Sequence, residues 1–467
     1  MRSRIKEYIG TKSFYRSLIF LALPVMLQSG LTNLVSLLDN LMVGAVGTDQ
    51  MNGVSIVNQC LFVFNLCIFG GLGGVGIFTA QFYGNGDHKG VRDTFRFKIL
   101  LALGIFAAGL IVLTVWGRDL IGLFLHEGGS TGDMAATLDH AQGYLNVMLL
   151  GLAPFALQQA YASTLRECGE TALPMKAGVA AILLNLVLNW FLIGGHWGAP
   201  ALGAVGAAVA TVIARVLECA IIVIWCHRHH EKAVFVPGAY RSLRIPGALA
   251  GRIVSKGMPL LINELLWSLG MAALTQSYST RGLAVVAGMN IASTVSNVFS
   301  IMWMSMGTAV SIMVGQQLGA GDFERVRSTR KQIASFAVVS AAAAGLLLFL
   351  SAPLFPRLYN TTDEVRALAV GFLRVSACAA PLYAYGHTTY FTLRAGGKTW
   401  ITLLFDSAYV WLVRVVIVRL LVGLTALPEV TIFALCEGSD LLKCVFGAVL
   451  IAKGIWINNI VEDVQRL

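Results

Sequence analysis

The chain alternates long apolar runs with short polar connections. Roughly 20 apolar residues are enough to span a bilayer as a helix. Twelve such runs can be marked: 17–47, 54–82, 95–116, 138–164, 172–195, 201–226, 252–279, 283–316, 331–356, 365–392, 399–425 and 428–452. No run shows the period-two alternation of a half-buried strand. The pattern predicts an all-α polytopic membrane protein with 12 transmembrane helices. The connections are too short to hold a separate soluble domain.

The first run, Pro24 to Gly47, is not uniformly apolar. Ser29, Thr32, Asn33, Ser36, Asp39 and Asn40 recur at spacings of three and four, so they share one helix face. A polar face on a membrane helix looks into protein or into a water-filled cavity. Asp39 lies in the outer half of its helix. It reads either as an acid at the interface or as an ion carrier, and the polar stripe beneath it favours the carrier.

Composition agrees with the hydropathy. Of 467 residues, 57% are hydrophobic and 12% charged, against about 25% charged in soluble domains. The 8 cysteines form no C-x-x-C pair and read as small buried hydrophobes. The basic N-terminus leads into an apolar run too long for a signal-peptide core, so it reads as a cytoplasmic tail. The formal charge of +10 follows from topology: 25 Lys and Arg fall on the side of the N-terminus and 4 on the other. Both termini are therefore expected in the cytoplasm, with basic residues facing an anionic leaflet and no nucleic acid involved.

The chain repeats itself. GIFTAQFYGNGDHKGVRDTFRFK (76–98) parallels SIMVGQQLGAGDFERVRSTRKQ (311–332) at an offset of 235, matching Gln81 with Gln316, Gly84 with Gly319 and Asp87 with Asp322. Pro24 matches Pro259 at the same offset, and TLRECGET (164–171) parallels TLRAGGKT (392–399) at 228. Six spans per repeat preserve orientation, so the prediction is two pseudo-symmetric six-helix lobes around a central cavity. Residues 1–235 form the N-lobe and 236–467 the C-lobe, and such halves rock against each other about a midplane site. A basic linker (227–250) joins them.

Other intramembrane polar groups are candidates for chemistry. Asn185 and Asn189 share one face of the fifth span, and Thr211 lies in the sixth. With Asp39 they offer oxygen ligands suited to a hard cation such as Na+, while interhelical hydrogen bonding by Asn is the more ordinary reading. Glu264, near the middle of the seventh span, reads as a proton or cation carrier. Arg215 with Glu218, and Asp440 with Lys443, stand three residues apart and are expected to pair structurally, as are Asp406, Arg414, Arg419 and Glu437. Arg414 has no evident partner. Met271, Met302 and Tyr383, with Asn33 and Asn40, would suit a cavity for bulky organic cations. Lipid-facing packing fits the aromatic and methionine residues equally. His387 is given no role. The chain carries neither a Walker motif nor a catalytic constellation, and neither a cofactor nor enzymatic activity is expected.

LALPVMLQSGLTNLVSLLDNLMVGAVGTDQMNGVSI, the GxGD turns at 84–87 and 319–322, NLVLNWFLI (185–193), PLLINELLW (259–267), FDSAYVW (405–411) and KGIWI (453–457) resemble the multidrug and toxic compound extrusion (MATE) family over the whole chain. The resemblance implies secondary antiport, in which entry of H+ or Na+ drives export of amphipathic, often cationic, small molecules by rocker-switch alternating access. It implies a monomer in the bacterial inner membrane. It makes Asp39 the N-lobe coupling residue, with Asn185, Asn189 and Thr211 completing a possible Na+ site, and it makes Glu264 the C-lobe acid. Asn189 stands where an acid is common, and the tenth span lacks the acid of the norfloxacin-exporting branch, so Glu264 acts alone or with Asp406. The alternatives are a lipid-linked oligosaccharide flippase of the same superfamily and an integral-membrane enzyme.

Overall fold

A computed structural model describes residues 7–44, 47–123, 134–198 and 200–462, apart from the side chains of Ser36, Leu37, Asn40, Leu41 and Thr48. The described residues are helical throughout, with turns between and no strand among them. The helices are α1 (Lys12–Gly44), α2 (Thr48–Gly84), α3 (His88–Val115), α4 (Met134–Leu150), α5 (Leu152–Glu167), α6 (Ala172–Gly194) and α7 (Gly203–Arg228). There follow α8 (Gly247–Ser279), α9 (Leu283–Gly319), α10 (Phe323–Ser351), α11 (Asp363–Ala395), α12 (Thr399–Leu424), α13 (Glu429–Gly438) and α14 (Asp440–Ala452).

Among the described residues, ten helices are long and apolar enough to cross a membrane. The other two expected spans, 138–164 and 428–452, are each broken in two. The first breaks at Gly151, which has no Cβ to hold off Val212 and Arg215 of α7. The second breaks at Ser439, whose hydroxyl donates to the Cys436 carbonyl at 2.6 Å and whose own carbonyl accepts from Tyr409 at 2.6 Å. Side-chain bonds of this kind compete with the helical ladder. The eleventh span is one helix by length, but it contains two wide π-type stretches, Leu404–Ala408 and Val410–Arg414. Such stretches interrupt regular helices frequently at functional sites.

Backbone contacts divide the chain into two compact units. The first comprises Met1–Met26, Ala80–Asp87 and Gly251–Leu467; the second comprises Leu27–Thr79 and His88–Ala250.

In the first unit, α9 packs along α11, and α11 also packs on α10. Trp303, Met306, Val310, Val314 and Leu318 recur along α9 at helical spacing and are all buried in one core. Small residues let the backbones approach: a Cβ at Gly345 of α10 would collide with the Ala377 carbonyl of α11.

In the second unit α6 packs closely on α7, with Gly206 set against the Leu192 carbonyl. The linker does not hang free. Phe235 is fully buried against the Phe95 and Tyr161 rings, 4.6 and 6.1 Å between centroids. Arg96 donates to the carbonyls of Gly238 and Ala239 at 2.8 Å, and Arg92 donates to that of Pro237 at 2.9 Å.

The repeat recurs in the backbone. After α2, Gly86 takes φ +73° and Asp87 N–H donates to Phe82 O at 3.0 Å; after α9, Gly321 takes φ +73° and Asp322 N–H donates to Gln317 O at 3.1 Å. Both are left-handed glycine terminations that satisfy otherwise free helix carbonyls. The matched turns after α5 and α11 end the same way, through Gly169 and Gly397.

Candidate coupling site

The four residues expected to hold a cation come together in the second unit. Asn189 is fully buried and donates from Nδ2 to Asp39 Oδ1 at 2.6 Å and to Asn185 Oδ1 at 3.2 Å. Asn185 donates to Thr211 Oγ1 at 3.3 Å, and Thr211 donates to the Ala207 carbonyl at 2.9 Å. The i, i+4 spacing on α6 sets the two amides one above the other, and α1 and α7 bring the acid and the hydroxyl to them. Asn189 Oδ1 is buried without a partner. Turned toward the acid, it would be a ready oxygen ligand, which is what a hard cation takes.

Beside this chain of bonds lies a cavity of about 210 Å³ lined by Asp39, Asn185, Thr211, Gln28, Arg215 and Glu218, among others. The expected pairing of Arg215 with Glu218 is replaced by separate partners. Arg215 donates to the Gly151 carbonyl at 3.4 Å and lies over the Phe155 ring, whereas Glu218 accepts from Gln158 at 2.9 Å. The break at Gly151 supplies the carbonyl that Arg215 takes.

The first unit holds a second polar array. Tyr390 donates to Glu264 Oε1 at 3.4 Å, and Asn263 donates to Tyr390 Oη at 3.3 Å and to Asp406 Oδ2 at 3.2 Å. Lys443 caps Asp406 at 2.8 Å. Glu264 and Asp406 are thus joined through Asn263 and Tyr390. The expected pairing of Asp440 with Lys443 gives way to pairs across helices: Lys443 takes Asp406, and Arg414 is bound by Glu437 and stands 4.0 Å from Asp440. Asp406 and Arg414 both fall in the wide turns of α12, which alter the direction in which their side chains leave the helix.

The residues expected to line a substrate cavity belong to both units, Asn33 to the second and Met271, Met302 and Tyr383 to the first. Tyr383 donates to Glu437. Met302 is half-buried, while Met271 and Asn33 are exposed. The side chain of Asn40 lies outside the described residues. The sequence pointed to no role for Gln158 or Asn263, and the bond from Gln158 to Glu218 was not anticipated. Glu218 had a signal in its position seven residues after Thr211, two turns along one face.

The family model MatE matches residues 24–191 and 259–423, together most of the chain. The chain belongs to the MatE family. The two matches begin at Pro24 and Pro259, the prolines related by the internal offset. The probable multidrug resistance protein NorM of Thermotoga maritima is 24% identical to this MatE chain over 404 residues, covering 85% of the chain and 84% of that protein. The probable multidrug resistance protein YoeA of Bacillus subtilis is 23% identical over 409 residues, 86% of each. A multidrug resistance MATE family transporter of the MOP superfamily, solved in an outward-facing conformation, matches with TM-score 0.85 at 19% identity, over 99% of this chain and 98% of that one. A MOP superfamily transporter from Pyrococcus furiosus, in which reverse polarity of the binding pocket suggests a different function, matches with TM-score 0.82 at 20% identity, over 97% of each chain. These likenesses establish the MATE fold, to which twelve spans correspond. The protein is a membrane protein of a multidrug transporter family.

Proposed function

We propose that this protein is a cation-coupled exporter in the cytoplasmic membrane, antiporting H+ or Na+ inward against amphipathic, cationic organic compounds by rocker-switch alternating access. The observation that carries the reading is the bonded series Asp39–Asn189–Asn185–Thr211 beside a polar cavity. A carboxylate held there by one amide changes its interactions when a cation or proton arrives. A ligand shifts a conformational equilibrium only through such a difference.

The naming of two relatives as multidrug resistance proteins supports organic small molecules as cargo. In the first unit, Glu264 with Asp406 supplies a second acidic centre, with Lys443 on Asp406 and the charge of Arg394 acting on Glu264. The test is ethidium efflux from proteoliposomes under a pH gradient alone and under a Na+ gradient alone. One gradient is expected to drive efflux, and Asp39→Asn to abolish it in protein that elutes as the wild type does. Full transport by that variant would refute the coupling role.

A further inference from the structure

Asp39 shares its cavity with a second carboxylate. Glu218 lies seven residues after Thr211 on α7 and lines the same space. At 1.5 Å per residue it sits about 10 Å closer to the Arg228 end of that helix, the end that carries the basic linker. Gln158 of α5 binds it at 2.9 Å. From α1 and α6, Gln28 and Gly178 close the wall, since a Cβ at Gly178 would touch both Gln28 Nε2 and Glu218 Oε1. The positive charges of Arg215 on its own helix and Arg166 on α5 act on it electrostatically.

The series continues. Arg166 stands in the field of Glu167 as well as Glu218. Glu167 accepts from the fully buried Lys98 at 2.5 Å, and Lys98 also donates to Ser163 at 3.0 Å and Thr164 at 3.2 Å. Polar and titratable groups therefore lead from Asp39 through Glu218 to the turn after α5. An ionisable residue inside a membrane span, half-buried beside a cavity, is a functional candidate by default.

We propose that Glu218 is a second proton-carrying group of the second unit, which accepts the proton leaving Asp39 and hands it toward the cytoplasmic ends of α5 and α7. The inference rests on the cation-coupled reading above and specifies its ion. The O–H bond on Asp39 breaks as one forms on Glu218, through water in the polar cavity, and the charge of one carboxylate passes to the other. Arg215, a permanent cation lining the same cavity, competes with a metal ion for these carboxylates. It opposes a proton as well, since protonating a carboxylate also adds one positive charge, and so it favours release of the proton that Glu218 accepts.

Two variants separate relay from scaffold. Glu218→Gln keeps a carbonyl that can accept from Gln158 but carries no proton. Glu218→Asp keeps the proton site and shortens the reach to Gln158. In proteoliposomes loaded with a pH-sensitive dye, Glu218→Gln is expected to lose pH-driven ethidium efflux and the accompanying proton flux at least tenfold, with ethidium binding unchanged. Glu218→Asp is expected to retain efflux with a displaced pH profile. Wild-type flux in Glu218→Gln would overturn the relay and leave the exporter reading standing. So would efflux by the unaltered protein under a Na+ gradient alone, or equal losses of flux and unfolding temperature in both variants. No efflux by the unaltered protein under either gradient would overturn both.

Discussion

Gly84 rests on the backbone of Gln316, and a Cβ at position 84 would fall on the Gln316 carbonyl oxygen. The relation is reciprocal, because a Cβ at Gly319 would fall on the carbonyl oxygen of Gln81. These positions correspond in the repeat, so each copy sets its glycine against the other's glutamine, as in an isologous contact about a two-fold axis. Gln81 also donates to the carbonyls of Ala395 and Asn458, at 2.9 and 3.2 Å, and accepts from Ile460 N–H at 2.9 Å. Gly84→Ala and Gly319→Ala must displace backbone at this contact. Each is expected to cost about 1–3 kcal/mol, the range for overpacking, read as a lowered unfolding temperature in detergent. Gly104→Ala on α3, with nothing near its added carbon, is the unaffected control.

Among the described residues, the 2.6 Å bond from Asn189 is the side-chain bond that holds Asp39. Hydrogen bonds to charged groups are worth about 1.5–3 kcal/mol, or about 10- to 100-fold in an equilibrium constant. Asn189→Leu removes it and is expected to reduce gradient-driven efflux by that factor in folded protein. Efflux rates in proteoliposomes check this, and an unchanged rate would mean that the amide does not serve the acid.

Arg414 and Arg419 lie on one helix with different fates. Arg414 is buried against Glu437 and Asp440, whereas Arg419 is exposed. Removing one partner of a buried pair costs about 3–5 kcal/mol, because the other charge is stranded. Arg414→Leu is expected to destabilise the protein strongly, and Arg419→Leu by no more than about 0.5 kcal/mol. Thermal unfolding of the two purified variants compares them directly.

The charge asymmetry of the loops makes an orientation testable. Single cysteines replacing Arg244 in the linker and Leu358 between α10 and α11, both exposed sites, should label from opposite sides. In intact cells a membrane-impermeant maleimide is expected to reach position 358 alone, and position 244 only after permeabilisation. The reverse pattern would invert the topology.

Much of this was legible in the chain. Hydropathy located twelve spans because each must bury its own backbone in lipid, and Pro24 and Pro259 marked the repeat. The breaks at Gly151 and Ser439 were not legible, since each depends on a neighbour: the α7 side chains at one, the Tyr409 hydroxyl at the other. Asn185 and Asn189 were found through spacing along one helix, and their oxygen chemistry grouped them with Asp39 and Thr211, as did the resemblance. Their bonds to one another required α1, α6 and α7 to be placed side by side.

By itself the sequence determined the all-helical membrane architecture, its doubling and the acid at Asp39, because periodicity, span length and loop charge are properties of each segment. The tertiary structure decided which charges meet. It gave Arg414 a partner in Glu437, and it matched Lys443 with Asp406 and Glu218 with Gln158 in place of the neighbours three residues away. Partner choice across helices depends on rotation and depth, and a single helix encodes neither.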